Sequence, residues 1–333
     1  MPRNGNQNVH SSRKEKTDEF YTSKKLIEDE IKNYRKHFEG KIVLCNCDDP
    51  RISNFFQVFV MQFNLLKLKK LIAICYKNNE PDLFTTNSSE KAIYFEYDGS
   101  IKYNSPEDFK KIPCKELKGN GDFRNEENID FLKEADIVCT NPPFSLFRDY
   151  IAQLMKYKKK FLIIGNMNAV FYSEVFPLIK QNKIWLGQNS GHYWFQVPDY
   201  YEEKGTDFKI VAGMKYRRIG NICWFTNLDF DARHEVRKYT KKYLPKDYPQ
   251  YDNYKAININ KTTDIPGDYD GIMGVPITFL GKFNPDQFEI IGETHISDTS
   301  TEVEALRTDP EKRHGGYING KPIYARILIK RKH

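Results

Sequence analysis

The sequence lacks the features of membrane proteins, secreted proteins and repeat arrays. No apolar run approaches the roughly 20 residues that cross a bilayer. The first 17 residues are polar and contain no hydrophobic signal core. No self-similarity at a fixed period is visible, which argues against a repeat array. We therefore expect a cytoplasmic protein without a membrane anchor.

Metal-binding patterns are also missing. The chain has six cysteines, and most lie in apolar, strand-like segments where thiols are commonly buried. No Cys-x-x-Cys pair occurs, and Cys45-x-Cys47 has no histidine nearby. The sequence therefore predicts reduced cysteines and no metal site.

The composition permits a nucleic-acid partner without requiring one. A chain of 333 residues suits one large α/β domain with an appended module. The 52 Lys and Arg residues outnumber the 45 Asp and Glu residues, and the net charge of +7 suits a polyanionic partner. Aromatic content is high, with 23 Phe and 21 Tyr, but such rings can fill a core as well as stack on bases.

The first third of the chain has the pattern of a nucleotide-type α/β domain. A buried strand at 41–47 precedes a buried helix at 55–66 and a second strand at 71–76. Asp48 and Asp49 follow the first strand, where they can line a ligand site or cap the next helix. The other predicted elements are an N-terminal helix containing Ile27 and Phe38, a hairpin at 93–103 turning at Asp98-Gly99, helices at 126–135 and 175–179, and strands at 183–187, 221–227, 275–280, 288–291 and 324–332.

One short stretch organises the rest of the chain. Residues 136–140 read as a buried strand, and the sequence Asn-Pro-Pro-Phe follows it at 141–144. The two prolines end strand pairing and prevent an immediate helix. A helix is predicted at 145–157 and another strand at 161–165. The tetrapeptide therefore lies at the carboxyl end of a strand in a strand-helix-strand unit, where open α/β sheets bind ligands.

Asn-Pro-Pro-aromatic at this position is typical of enzymes that methylate an exocyclic amine. Such an amine is a poor nucleophile because its lone pair is delocalised into the base. The Asn141 side-chain oxygen and the Pro142 carbonyl, held rigid by Pro143, can accept both amine hydrogens and aim the lone pair at a methyl donor. Phe144 can stack on a base that has left the duplex. A Pro-Pro turn that merely ends a strand is the simpler alternative.

With these residues in view, the chain resembles the EcoRI-type adenine-specific DNA methyltransferases. The resemblance implies a Rossmann-like, class I methyltransferase fold with an appended DNA-recognition region, and methyl transfer from S-adenosylmethionine to adenine N6 in double-stranded DNA. It implies the modification partner of a restriction system or an orphan methylase, acting as a monomer, with GAATTC as a candidate site. The matching stretches are 18–22, 43–50, 121–124, 141–144, 223–227 and 274–280.

The resemblance also implies site residues. The methionine end of the cofactor would be lined by six residues, namely Phe20, Tyr21, Thr22, Asn46, Asp48 and Asp49. Asp122 and Phe123 would hold its adenine. The usual Gly-x-Gly loop after the first strand is absent, and no acidic residue ends the second strand at Cys75-Tyr76, so the ribose contact is unassigned.

We predict three regions along the chain. Residues 1–17 form a mobile basic arm, 18–230 form the cofactor-binding catalytic domain with a recognition insert at 187–220, and 231–333 form a C-terminal DNA-recognition region. Basic residues interleaved with aromatic ones suggest contacts to DNA. The residues predicted to make them are Lys215, Arg217, Arg218, Trp224, Arg233, Arg237 and Lys238.

Other functions remain open at this stage. N4-cytosine methylation uses a similar amine geometry, although those enzymes more often have Ser in place of Asn141. Glutamine methylation in proteins also uses Asn-Pro-Pro-aromatic, but the basic, aromatic later half favours nucleic acid. A covalent C5-cytosine mechanism would need a nucleophile such as Cys114, which follows Pro113. A DNA-binding protein without catalysis is the alternative from another class.

Overall fold

The computed structural model describes residues 22–47, 49–51, 53–76, 92–103, 106–197, 207–295, 300–309 and 315–332. The chain divides into two compact units. The first unit comprises Met1–Asn166 and Asn189–Leu228, and the second comprises Met167–Gln188 and Asp229–His333. The second unit thus includes a segment, Met167–Gln188, that the sequence prediction had placed in the catalytic domain. Residues 1–17, predicted to form a mobile arm, lie outside the described residues.

The larger of the two main sheets has nine strands, in the order β4-β3-β2-β1-β5-β6-β9-β7, with β8 paired to β9. Their bounds are β1 Ile42–Cys45, β2 Lys70–Cys75, β3 Ile93–Tyr97, β4 Cys114–Glu116, β5 Ile137–Thr140, β6 Lys160–Asn166, β7 Trp185–Gln196, β8 Phe208–Val211 and β9 Met214–Thr226.

The four central strands are parallel and form the core of this sheet. β1 pairs in parallel with both β2 and β5, and β5 pairs in parallel with β6. All four residues of β1 and all four of β5 are buried, as expected for strands covered on both faces. From β1 the chain continues through β2, β3 and β4 on one side of β1, and the next strand, β5, lies on the other side of β1. The strand order therefore reverses between β1 and β5, and this reversal is where such sheets bind ligands.

Six helices of the first unit pack around this sheet. They are α1 Lys24–Ile31, α2 Arg35–Phe38, α3 Asn54–Met61, α4 Phe63–Leu66, α5 Glu126–Glu134 and, after the Asn-Pro-Pro-Phe motif, α6 Phe147–Lys156, with the short α2 continuing α1 through one 3₁₀ turn. Ser23 caps α1 by accepting a hydrogen bond from Leu26 N at 3.3 Å, and Ser53 caps α3 by accepting one from Phe55 N at 3.1 Å. α6 places Tyr150, Ile151 and Leu154 in the core at helical spacing.

The second unit has a smaller sheet of four strands in the order β10-β11-β15-β12. Its elements are α7 Phe176–Lys180, β10 Ile257–Asn258, β11 Met273–Val275, β12 Phe288–Glu293, α8 Thr301–Leu306, β15 Ile327–Arg331 and the separate hairpin β13 Gly316–Ile318 with β14 Lys321–Ile323. β15 is antiparallel to both β11 and β12 and is completely buried at Ile327, Leu328 and Ile329.

Two predictions of secondary structure were wrong. No hairpin turns at Asp98-Gly99, because β3 pairs instead with β2 and with the distant β4. The strand predicted at 275–280 ends at Val275, and Pro276 is followed by a 3₁₀ helix, Ile277–Lys282. Long-range strand pairing explains the first error and Pro276 explains the second, since neither is visible in the local apolar pattern from which the strands were predicted.

In the part of the chain that the structure describes, no helix is long and apolar enough to cross a membrane.

Candidate active site

The Asn-Pro-Pro-Phe motif begins directly after β5, at the edge where the strand order reverses. Leu44 of β1 lies opposite Val138 of β5, so Asn46 and Asn141 emerge from neighbouring parallel strands at the same edge. Pro142 is buried, whereas Asn141 and Phe144 are partly exposed. This juxtaposition unites a predicted cofactor residue with the predicted catalytic motif.

The backbone of the motif turns sharply into the following helix. Leu146 N donates a hydrogen bond to Pro143 O at 3.0 Å, which closes a 3₁₀ turn, Phe144–Leu146. The prolines themselves carry no N–H group, so they leave no donor unsatisfied at this strand end. The result is a rigid turn that directs the Asn141 and Phe144 side chains from a fixed backbone.

Asn46 is held in place by the helix that follows the motif. The Tyr150 hydroxyl, on α6, donates a hydrogen bond to Asn46 Oδ1, and both side chains are buried. Asn46 Nδ2 is buried as well, yet it has no hydrogen-bond partner within the described residues. A buried donor without a partner carries a desolvation cost, so a ligand that accepts its hydrogen bond would be favoured.

Thr22 offers a second buried polar atom of the same kind. Its Oγ1 has no hydrogen-bond partner among the residues described. Its carbonyl oxygen accepts a hydrogen bond from Asn54 Nδ2 at 2.7 Å, which ties the chain before α1 to the first residue of α3. Of the residues predicted around it, Phe20, Tyr21 and Asp48 lie outside the described residues.

The loop containing Asp122 and Phe123 lies against the end of β2. Gly121 has φ +78°, and a Cβ atom there would come within 2.5 Å of the Cys75 carbonyl oxygen. Only glycine allows this close approach without displacing the backbone. The loop therefore joins the same sheet edge, next to the residues that follow β1.

Side chains from two helices hold this loop. Asn128 Nδ2, on α5, donates to Asp122 O at 2.7 Å, and Gln153 Nε2, on α6, donates to Phe123 O at 2.9 Å. The Phe123 ring meets the Tyr150 ring edge to face, with centroids 5.0 Å apart. Tyr150 thus contacts both predicted ends of the cofactor site.

Two carboxylates at this edge are each paired with an arginine two residues later. Arg124 donates from Nε to Asp122 Oδ1 at 2.9 Å and from a terminal nitrogen to Oδ2 at 2.7 Å. This hydrogen bonding lowers the pKa of Asp122, against the opposing effect of burial. Arg51 donates from Nε to both carboxylate oxygens of Asp49, at 2.9 Å and 3.2 Å. Each carboxylate at this edge is thus held by a neighbouring guanidinium.

Two residues predicted to contact DNA are buried instead. Trp224, in β9, is fully buried and packs edge to face against Phe55, with centroids 5.8 Å apart. β9 pairs with β6 here, so Trp224 is a core residue of the sheet. Trp224 stands between Cys223 and Phe225, and the sequence alone did not show that this strand is covered on both faces.

Arg233 is the second correction. It is 6% exposed, its guanidinium lies 4.0 Å from the centre of the Trp185 ring, and it donates to Asp229 at 3.3 Å and to Asn182. Burial lowers the pKa of Arg233, while Asp229 opposes that effect. Arg233 therefore stabilises the packing of the second unit and is too buried to contact a phosphate.

The other predicted DNA contacts are placed at the surface, in two groups. Arg217 and Arg218 are exposed on β9, and Lys215 is partly exposed there. In the second unit, Arg237 and Lys238 line a cavity of about 480 Å³ that also includes Lys282. The structure therefore does not bring all the predicted DNA contacts together in one unit.

Sequence reasoning missed three residues of the site, Tyr150, Gln153 and Asn54. Tyr150 and Gln153 lie one helical turn apart on α6, so the first was interpreted only as part of an apolar face. The hydroxyl group of a core tyrosine was the available signal, because a buried Tyr usually finds a partner for it. Asn54 lies one residue before the helix predicted at 55–66 and is the first residue of α3 in the structure.

Cys114 lies far from the motif. It is exposed and begins β4, which is separated from β5 by β3, β2 and β1. Four strand spacings of about 4.8 Å place these strands about 19 Å apart. Burial raises the pKa of the Cys114 thiol, which further disfavours the thiolate. The covalent mechanism based on Cys114 therefore has no geometric support.

Taken together, the sheet, the rigid Asn-Pro-Pro-Phe turn and the neighbouring buried polar atoms are those of an α/β enzyme that methylates an amine. The chain matches the family model described as adenine-specific methyltransferase EcoRI over residues 8–332, and it belongs to this family of DNA methyltransferases.

Individual relatives agree with this assignment. The chain is 49% identical to the type II methyltransferase M.EcoRI of Escherichia coli, over 100% of this chain and 99% of the relative. It is 38% identical to M.MgeORF184P of Mycoplasma genitalium, over 96% and 98% of the two chains. It is 37% identical to M.MpnI of Mycoplasma pneumoniae, over 96% and 97%. No solved structure matches the chain.

Proposed function

We propose that this adenine-specific enzyme transfers a methyl group from S-adenosylmethionine to N6 of an adenine extruded from double-stranded DNA. The observation that carries the proposal is the position of the Asn141–Phe144 turn beside Asn46, at the reversal of strand order. The fold we propose is the Rossmann-like class I methyltransferase fold, with the second unit as the DNA-recognition region. In the cell the enzyme acts as a monomer, as the modification partner of a restriction system or as an orphan methylase.

The residues around β1 fit the methionine end of the cofactor. Asn46 Nδ2 and Thr22 Oγ1 are buried and unpartnered among the described residues, and both can donate to a carboxylate. Asp49 supplies negative charge at the same edge for an ammonium group. When bound, S-adenosylmethionine supplies an electrophilic methyl group on a sulfonium.

The loop after β4 fits the adenine end. The Phe123 ring is oriented by its edge-to-face contact to Tyr150, is 5% exposed, and has the Arg124 guanidinium 5.4 Å from its centre. Asp122 Oδ2 accepts a hydrogen bond from Arg124, and a carboxylate oxygen can accept more than one, so it retains capacity for an exocyclic amine. These two residues therefore select a purine without a phosphate-binding loop.

The reacting amine is held by the motif itself. Asn141 Oδ1 and the Pro142 carbonyl oxygen accept the two amine hydrogens, which favours a tetrahedral nitrogen with its lone pair directed at the methyl group. Phe144 stacks on the base. Alkylation makes the amine proton easy to lose, so no general base is required.

Contacts to DNA phosphates are proposed for five residues in the two units. These are Lys215, Arg217 and Arg218 on β9, and Arg237 and Lys238 at the cavity of the second unit. Trp224 and Arg233 are withdrawn from this set because both are buried. GAATTC remains a candidate site on the resemblance alone.

The experiment that tests the proposal reads the product and its sequence context together. Genomic DNA from a methylation-deficient host that expresses the chain is analysed by single-molecule sequencing, with the same host carrying the empty vector as the control. We expect N6-methyladenine in one recurring context, absent in the control. N4-methylcytosine, or no modified base, would contradict the proposal, whereas N6-methyladenine in a context other than GAATTC would change only the site.

A further inference from the structure

Strands β8 and β9 form a hairpin with an unusual tip, and β9 pairs with β7 on its other edge as far as Lys215. Val211 and Met214 pair across the turn, whose two central residues are Ala212 and Gly213. Both central residues have positive φ, +50° and +79°, as in the tight turns that match the twist of a hairpin. Asn, Asp or Gly usually occupies the first of these positions, because they adopt this conformation with little strain. Here it is alanine, which accepts the strain and presents only a methyl group.

The hairpin tip, residues 210–214, carries no polar side chain. Ile210 is 54% exposed, Val211 is 48% exposed and Met214 is 41% exposed, and Ala212 and Gly213 are exposed as well. Surface turns are normally built from polar residues, and clustered exposed apolar side chains commonly mark an interaction site. The tip therefore has the composition of a surface that is covered when the protein acts.

Cations flank the tip on both faces of the hairpin. Side chains alternate between faces along a strand, so Ile210 shares its face with its partner Lys215 and with Arg217, which pairs with Phe208. On the opposite face, Lys209 lies 4.3 Å from the centre of the Trp194 ring. An apolar tip flanked by cations is complementary to a partner whose rim is polyanionic and whose groove exposes apolar groups.

The hairpin projects from the same edge of the sheet as the active site. β9 is antiparallel to β6, and Ile222 of β9 lies opposite Asn166, the last residue of β6. The eight residues from Ile222 back to Met214 therefore extend past the carboxyl ends of β6 and of its parallel neighbour β5, which leads to Asn141. At about 3.3 Å per residue this length is at most about 26 Å, reduced by any bend in the strand. Asn221, with φ +57°, marks one such bend.

We propose that the tip of the β8–β9 hairpin enters the major groove of the DNA and contacts thymine methyl groups of the recognised site. Past Lys215 the described residues pair only as β8 with β9. The major groove, about 12 Å wide and about 8.5 Å deep, admits a two-stranded ribbon, and the thymine methyl is the apolar group that base pairs expose there. Every site methylated at adenine contains at least the thymine opposite that adenine. The inference rests on the proposed function, since it concerns how that enzyme reads its duplex.

The test combines a change in the protein with a change in the DNA. The tip variant Ile210→Thr/Val211→Thr/Met214→Gln keeps β-branched residues in the strand while making the tip polar. Leu65→Gln is the control, because Leu65 is 59% exposed and lies on α4 of the same unit. The DNA is a duplex containing the site found by sequencing, with either thymine or deoxyuracil, which lacks the methyl group, at every thymine of the site.

Affinity is measured by fluorescence anisotropy at several salt concentrations. We expect deoxyuracil to weaken binding of the wild-type enzyme and of Leu65→Gln by about fivefold, and to leave the tip variant unchanged. On thymine DNA the tip variant should bind about tenfold more weakly, with an unchanged slope of log affinity against log salt, because the tip carries no charge. The matched variant Arg217→Gln should make that slope shallower by about one unit.

Other outcomes separate the inference from the proposed function. If the wild-type enzyme neither binds nor methylates DNA, the proposed function fails. If it does both, but deoxyuracil affects the tip variant and the wild type equally, the inference alone is overturned. A tip that instead pairs with a second copy of the chain would show as a change of molar mass in light scattering with DNA affinity unaltered, and this result also overturns the inference.

Discussion

The hydroxyl group of Tyr150 donates a hydrogen bond to Oδ1 of Asn46, linking α6 to the end of β1. This bond decides which way the Asn46 amide faces, because an amide whose oxygen accepts from Tyr150 must direct its nitrogen elsewhere. Nδ2 is consequently a buried donor without a partner among the described residues. Since α6 begins three residues after Phe144, the helix that follows the Asn-Pro-Pro-Phe motif also orients Asn46, a proposed cofactor residue.

Tyr150→Phe is expected to weaken S-adenosylmethionine binding about tenfold, which corresponds to about 1.4 kcal/mol. Without the hydroxyl group, Asn46 Oδ1 loses its partner and the amide is free to turn. Isothermal titration calorimetry measures the dissociation constant. Tyr157→Phe, at the end of the same helix, serves as the control and should bind like the wild type. Equal cofactor affinity for Tyr150→Phe and the wild type would show that Tyr150 does not orient the pocket.

Asn141→Ala and Asp122→Ala should have opposite effects. Asn141→Ala removes one of two amine acceptors, so it should slow single-turnover methylation while the cofactor dissociation constant stays nearly constant. Asp122→Ala should raise that dissociation constant first, through loss of the contact to the cofactor's adenine. Arg124→Gln, which keeps the Asp122 carboxylate while removing its guanidinium partner and the cation over the Phe123 ring, is the control for the loop. Similar effects of the first two variants on cofactor binding would mean that the two subsites are misassigned.

Phe144→Ala should weaken capture of the extruded base. Stacking on an aromatic ring is worth roughly 1–3 kcal/mol, so the methylation rate at low DNA concentration should fall about 5- to 100-fold. The defect should shrink when the target adenine lies opposite a mismatched base, because such a base costs less to unstack. Single-turnover rates on matched and mismatched duplexes measure this, with Phe144→Tyr as the variant that retains the ring. A defect of the same size on both duplexes would rule out stacking as the main role of Phe144.

A histidine in the second unit should make the stability of the protein depend on pH. His234 Nδ1 lies 2.8 Å from Asp286 and Nε2 lies 2.9 Å from Asp229. Hydrogen bonds to Asp286 and then to Asp229 raise the pKa of His234 above its usual 6.5. Because the folded-state pKa is raised, this contribution to stability is fully present below about pH 6.5 and is lost as the pH rises through the folded-state value.

We therefore expect His234→Gln to lower the free energy of unfolding more at pH 6 than at pH 8.5. Urea denaturation at both pH values gives the difference, and comparison with the wild type cancels the groups that titrate elsewhere. Asp286→Asn removes one partner and should reduce the pH dependence in part. A loss of stability in His234→Gln that is the same at both pH values would indicate a packing effect without titration.

The sequence alone predicted the organising unit of the molecule. The strand before Asn141, the helix after Phe144 and the next strand all occur within one or two residues of the predicted bounds. Their periodicity is strong and the two prolines act locally, so neither feature depends on distant contacts. The strand predicted at 41–47 contains β1, Ile42–Cys45, because its apolar run is also a local signal.

Only the tertiary structure decided which segments meet. The neighbours of β3 are β2 and β4, although a local turn at Asp98-Gly99 suggested a hairpin, because strand partners are chosen by burial over the whole sheet. Composition could not separate Trp224 and Arg233, which are buried, from Arg217, which is exposed, since each occurs in a basic and aromatic stretch. The contact from Tyr150 to Asn46 joins residues 104 positions apart. Local patterns thus determined the elements and the chemistry of the motif, whereas long-range packing determined which side chains surround it, because burial is a property of the assembled sheet and helices.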